Sequence, residues 1–202
     1  MGGDRELEPM GGWLSPGRER IGYAAKRQGA VSRFVAVGSR VLGRVEAPNV
    51  FRMLQTNARV FFPWLAFASQ LMPFGRLDPK DRERVILRVA WNCRSRYEWG
   101  QHVAIATRVG VTDEEIRAIA EGPDAALWGP FQRSILRACD EFHRDRMVGE
   151  DTWRALASEL DDELLVELLL LVGHYEMLAG VLNTTGVRLE PHLEARLPRR
   201  AR

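Results

Sequence analysis

Ser95, Glu98 and His102 are spaced three and then four residues apart. In a helix that spacing stacks all three on one face. Trp99 and Ile105 flank the face, so the polar groups would sit beside apolar walls. A carboxylate four residues before a histidine can accept a hydrogen bond from one imidazole nitrogen, fix the tautomer and favour the charged ring. The other nitrogen is then free to move a proton. An ordinary surface pair has the same spacing, and what separates the two readings is burial. Glu83 favours the buried one. It stands in a nearly all-apolar run that includes Val85, Ile86, Leu87, Val89 and Ala90, and a carboxylate buried there needs a partner. If the two segments form a hairpin, Glu83 faces His102 across it.

His174 stands in an apolar stretch beside Tyr175, and it reads either as a hydrogen-bonded core histidine or as a residue lining a pocket. His143 and His192 show no partner pattern. A metal centre built from Glu98, His102, Glu83 and His174 would need the Glu-x-x-His spacing of ferritin-like carboxylate sites, which is not the spacing here. No metal and no other cofactor is expected. Cys93 and Cys139 are the two cysteines, far apart and without a C-x-x-C, so neither a dithiol redox pair nor a zinc knuckle is available.

These residues need elements to hold them. Asp78 followed by Pro79 starts a helix with a capping side chain and a ring preset for the first turn. Asn92 to Arg94 reads as a break, a second helix runs from about Ser95 to Val109, and Gly110 ends it. Thr112-x-x-Glu115 is a capping box opening a short helix. Further helices are expected over Phe131–Arg146, from a cap at Asp151 to Leu160, and from a cap at Asp161 to Thr184. Upstream, Pro48 opens a segment from Phe51 to Leu71 that Pro63 should kink. Glu19 to Leu42 reads as one or two short helices, residues 1–18 as a flexible leader, and 191–202 as a solvated basic tail. No segment has strand periodicity, so the class is all-α, a single domain over 19–190.

Composition narrows the partners. The 29 basic and 27 acidic residues nearly cancel, and the arginines are interspersed with acids rather than gathered in a stripe, which argues against nucleic acid. The apolar stretch Leu164–Leu182 is interrupted by Glu167, His174 and Glu176, so it is not expected to span a membrane. No signal peptide is visible, and the expected location is the cytoplasm.

The stretch E-R-V-I-L-R-V-A from Glu83, then Y-E-W-G-Q-H-V-A-I-A and G-V-T-D-E-E-I, resembles the carboxymuconolactone decarboxylase family, which includes the AhpD-like alkylhydroperoxidases. The later L-V-G-H-Y-E-M-L-A-G-V-L-N-T-T-G-V is similar to the family's last helix, and the resemblance covers about residues 47–187. It implies an AhpD-like helical bundle centred on a hairpin, and a homo-oligomer, commonly a trimer or a multiple of three. In the peroxidase branch the motif is an acid, then C-x-x-C, then three residues and a histidine. Aligned on His102, Glu83 takes the place of the proton-relay acid, while Ser95 and Glu98 stand where the two cysteines would be. Without that pair, dithiol peroxidase activity is not expected. What the resemblance leaves is acid–base chemistry on a small organic acid or lactone-like substrate. His102 would shuttle the proton, with Glu98 orienting it, Glu83 completing a relay, and Ser95, Trp99 and His174 lining the substrate. A non-catalytic oligomeric binding or scaffold protein is the alternative.

Overall fold

The computed structural model describes residues 6–22 and 48–198. The helices expected between Glu19 and Leu42 fall largely on 23–47 and so lie outside the described residues. Helices α1 (Asn49–Leu54) and α2 (Ala58–Leu71) precede α3 (Pro79–Asn92) and α4 (Arg96–Val109). Then come α5 (Asp113–Glu121), α6 (Pro130–Asp145), α7 (Glu150–Ala157), α8 (Asp162–Thr185) and a short α9 (Pro191–Glu194). Among the described residues there is no extended strand. The fold is all-α.

Helix α3 is the axis of the bundle. Asp78 caps it, its side chain accepting from the backbone N–H of Lys80 and Asp81, and Pro79 fills the first turn. Its apolar residues point nearly all round, and α4, α5, α6 and α8 all pack on it. Three of its buried charged residues are each keyed to a different neighbour. Arg84 pairs with Glu115 of α5. Arg88 forms a two-pronged bond to Asp140 of α6 at 2.6 and 2.8 Å, with a third bond to the Ile119 carbonyl at 2.8 Å. Glu83 reaches His102 of α4. Directional bonds of this kind set the rotation of each helix against α3, a register that apolar packing alone leaves loose.

The α3–α4 break falls where the sequence places it. Arg94 adopts a left-handed φ of 52°, the Ser95 amide donates to the Ala90 carbonyl at 2.8 Å, and the chain reverses into α4. Gly110, at φ 91°, ends α4, and Thr112 and Glu115 form the expected capping box.

Three boundaries differ from expectation. Helix α2 runs through Pro63, and the interruption lies instead at Gln55–Asn57, a 3-10 turn. There the Thr56 hydroxyl donates back to the Met53 carbonyl at 2.8 Å, offering the backbone a competing partner. Helix α7 is capped at Gly149 rather than Asp151, because Glu141 of α6 accepts both the Gly149 amide and the Thr152 hydroxyl at 2.8 Å. The described part of the leader is docked, not loose. Trp13 sits edge-on to Trp91 with ring centres 5.6 Å apart, and the Leu14 amide donates to the Arg94 carbonyl. The tail is likewise anchored through Pro198 by buried Leu193 and Leu197.

Helix α8 is long and apolar enough to cross a membrane by length and composition, yet α2, α3, α4, α6 and α7 pack against it and Glu167 bonds the Arg76 and Leu77 amides. Val166, Leu170 and Met177 remain exposed on its outer side.

Arg88→Ala should leave Asp140 without its guanidinium and cost about 3 kcal/mol in urea unfolding. Arg76→Ala removes pairs to Asp161 and Glu163 whose arginine is half-exposed, and should cost less than about 1 kcal/mol. Equal losses would remove the register role assigned to Arg88.

Candidate functional site

Glu83 is fully buried and His102 is 6% exposed. His102 Nδ1 lies 2.7 Å from Glu83 Oε2, a bond between α3 and α4 across the hairpin. A carboxylate oxygen accepts, so Nδ1 carries the proton of this bond and Nε2, on the opposite side of the ring, is left for chemistry. Glu83 Oε1 faces the buried Arg82 Nε at 3.7 Å, an ion pair too long for a hydrogen bond. Tyr175 of α8 sets its ring at 90° to the imidazole with centres 5.1 Å apart.

Glu98 does something other than the spacing suggests. It does not orient His102; that bond belongs to Glu83. Glu98 is 2% exposed, and neither of its oxygens has a hydrogen-bond partner among the described residues. Burial, and then the charge of Glu176, push its pKa well above the usual carboxylate range. It is therefore held as a neutral acid, a group that can give a proton where an ionised carboxylate can only accept one. Tyr175 is kept protonated in the same way, by burial and by the charge of Glu83.

The remaining expected residues divide. His174 is buried, its ring stacked on Trp64 at 5.7 Å and edge-on to Phe67, both from α2, and to its neighbour Tyr175. Its Nδ1 has no hydrogen-bond partner among the described residues, and burial lowers its pKa to about 4, so the ring is neutral. It is thus an aromatic member of the wall rather than a hydrogen-bonded core histidine. Trp99 packs with Trp13 and Trp91 in an indole cluster that pins the leader. Ser95 is fully buried at the start of α4, and its hydroxyl makes no cap bond. Among the described residues a cavity of about 320 Å³ lies between the leader, α4 and the end of α8 and another lies against α5; neither is lined by His102, Glu83 or Glu98. Glu83, Glu98 and His102 are all buried.

Sequence spacing misses two things here. Arg82 is buried on α3 beside Glu83, and its Nε has no hydrogen-bond partner among the described residues. His143, which shows no partner in the sequence, bonds Glu176 Oε1 at 2.6 Å through Nδ1. Cys93 Sγ lies 3.8 Å from both of those atoms. The three residues come from α6, α8 and the α3–α4 break, and no local spacing relates them. As a free thiol Cys93 is pushed up in pKa by burial, Glu176 and Glu98, and Cys139 by burial and Asp140, the reverse of what an attacking thiolate requires.

Residues 60–141, which hold Glu83, Glu98 and His102, match the carboxymuconolactone decarboxylase family. The similarity to that family covers those residues, somewhat less than half of the chain. Its fold is AhpD-like. It superposes on a peroxidase-related protein from Silicibacter with a TM-score of 0.76 at 17% identity, covering 86% of this chain and 92% of that one. An AhpD-core peroxidase-related protein from Ralstonia eutropha gives 0.72 at 21% identity over 83% and 90% of the two chains. The debrominase Bmp8, solved as a cysteine-to-alanine variant with 2,3,4-tribromopyrrole, gives 0.72 at 13% identity over 88% and 95%. No curated protein matches in sequence. At these identities the solved structures share a fold with this chain and carry no more than that.

Because the folded pKa of Glu98 is raised, the stability its neutral form supports is fully present below the unfolded carboxylate value and is lost as pH rises through the folded one. Glu98→Gln keeps the shape without the ionisation. In thermal and urea unfolding the variant should match wild type near pH 4. It should then become progressively more stable by comparison as pH rises, at up to about 1.4 kcal/mol per pH unit. A pH-independent difference would mean Glu98 is ionised in the fold.

Proposed function

We propose that the chain is an acid–base enzyme that moves a proton on a small organic acid or lactone-like substrate, with His102 as the shuttle. The observation that carries this is the 2.7 Å Glu83–His102 bond in a fully buried setting, where an imidazole is oriented by a carboxylate and shielded from water. In this reading His102 Nε2 takes the proton from a carbon next to a carbonyl and returns it. Glu83 holds the ring and stabilises the charge it gains. Glu98, a neutral acid one helical turn before His102, donates to the oxygen on which negative charge develops. Arg82 supplies the positive charge that a substrate carboxylate needs. Decarboxylation fits the same groups, since it also generates an enolate that must be stabilised and protonated on carbon. The closed packing requires the aromatic wall of Trp64, Phe67 and His174 to open for entry.

Dithiol peroxide reduction is not part of the proposal. Ser95 and Glu98 occupy the positions of the cysteine pair, and an attacking thiol needs a resolving neighbour.

The test uses a panel of carboxylated lactones and 2-substituted organic acids in deuterated water, with carbon-bound deuterium and carbon dioxide followed by NMR and mass spectrometry. Turnover by wild type should fall by at least about 100-fold in His102→Ala. In Glu83→Gln, kcat should fall more than KM changes, because orientation of the ring is lost. Both variants should keep the wild-type helical circular dichroism. Undiminished turnover in His102→Ala would remove the proposal.

We also propose self-association, in threes or multiples of three, through the apolar faces left uncovered on α2 (Val60, Phe62, Phe67) and α8 (Val166, Leu170, Met177). Light scattering at micromolar concentration should return a multiple of the 22.9 kDa chain. Phe62→Glu with Leu170→Glu should shift it to monomer, and a wild-type monomer would overturn this.

A further inference from the structure

We infer that Cys93, His143 and Glu176 form a binding site for a single thiophilic divalent cation of the Zn²⁺ class, separate from the acid–histidine site. One ligand atom from each lies within 4.8 Å of the other two. Their arrangement separates a metal site from a catalytic triad. In a triad the carboxylate and the nucleophile use opposite nitrogens of the histidine, so that a proton can be relayed through the ring. Here Glu176 Oε1 and Cys93 Sγ both face Nδ1, at 2.6 and 3.8 Å. No relay is possible, and the three lone-pair donors converge on one point.

The distances suit an ion. Bonds of about 2.3 Å to sulfur and 2.0–2.2 Å to nitrogen and oxygen, at tetrahedral angles, place ligand atoms about 3.3–3.6 Å apart. The two separations from sulfur, both 3.8 Å, need to close by a few tenths of an ångström. The nitrogen–oxygen pair, now a hydrogen bond, must widen by about 0.7 Å as the ion takes the place of the shared proton, which passes to Nε2 of the neutral ring. His143 is on the open side of the cluster, its side chain 38% exposed, so its ring has room to turn and the ion a route in.

The surroundings are built as a second layer around such a site. The Asn183 amide donates to the Cys93 carbonyl at 2.9 Å and holds the loop that carries the thiol. Arg146 bonds Glu176 Oε2, which fixes the carboxylate and leaves Oε1 to the ion. Glu98, buried without a protein donor, lies near enough to feel the charge of Glu176. Thiolate, imidazole and carboxylate together favour Zn²⁺ or its close analogues over Mg²⁺ or Ca²⁺, with the fourth position left to water or a small ligand. This inference does not depend on the proton-transfer reading, and each can fail without the other.

The experiment uses the full chain, stripped with a chelator and titrated with Co²⁺ as a spectroscopic probe. A thiolate-to-cobalt charge-transfer band should grow in the near ultraviolet and saturate at one ion per chain, and Zn²⁺ should bleach it. Zn²⁺ binding at neutral pH should release about one proton, because the thiol must ionise to bind. Cys93→Ser should abolish the band, and Cys139→Ser should keep it. His143→Ala changes a partly exposed ring and should leave the helical dichroism intact. It should weaken Zn²⁺ by at least about 100-fold, since even outer partners of a bound ion are worth 10–100-fold. Absence of the band in wild type, its survival in Cys93→Ser, or Zn²⁺ affinity unchanged in His143→Ala would each overturn the site.

Discussion

A carboxylate with no exposure to solvent has to be satisfied from inside the protein, and the rest of this structure depends on how that is done for Glu83. It sits on the helix that every major neighbour packs against, so it cannot turn outward. The solution is His102, delivered from α4 at 2.7 Å by a three-residue break that reverses the chain. That bond fixes how α3 and α4 lie against each other, while Arg84 and Arg88 do the same for α5 and α6. Replacing buried pairs with apolar residues often leaves stability unchanged or improved, so stability alone does not account for them. What they add is one defined rotation for each helix around α3. A reactive imidazole needs that definition, because a shift of about 1 Å at the reacting atoms is enough to lose most of a catalytic effect.

The two acids near His102 have unlike environments and so unlike roles. Glu83 has a histidine and an arginine facing it. Glu98 has neither, and feels the negative charge of Glu176 instead. The first is placed to accept and to stabilise positive charge on the ring, the second to give a proton or a hydrogen bond. A carboxylate bonded to the ring and a buried acid without a donor place an acceptor and a donor in one site. Tyr175, held protonated beside the ring, completes a site with few charges and little water.

Features set by local rules were legible in the sequence. The Asp78–Pro79 start, the Gly110 stop, the Thr112–Glu115 box and the Asp161 cap each need only a few neighbouring residues, and each is found. Glu83 could be singled out because an acid in an apolar run is a local anomaly. The role of Glu98 could not be read, because i to i+4 spacing states who shares a helix face and nothing about the dielectric or the third helix that meets it. Trp13 was hidden for a similar reason. One aromatic in an aperiodic run has no pattern, yet its contact with Trp91 and Trp99 docks the leader. The Cys93–His143–Glu176 cluster spans 50 and 83 residues of separation, and only the packing of α6 and α8 on the hairpin brings it together.

That same packing ties the two clusters to one another. Tyr175 and Glu176 are consecutive on α8, so their side chains leave the helix about 100° apart. One is delivered to His102 and the other to His143 and Cys93. Glu98, on α4, lies close to both, and its own pKa is raised by burial and then by Glu176. Its neutrality rests first on burial and second on the negative charge of Glu176. The register of α8 thus sets the geometry of each cluster, and it also places one buried acid where the charge of one cluster acts on the chemistry of the other.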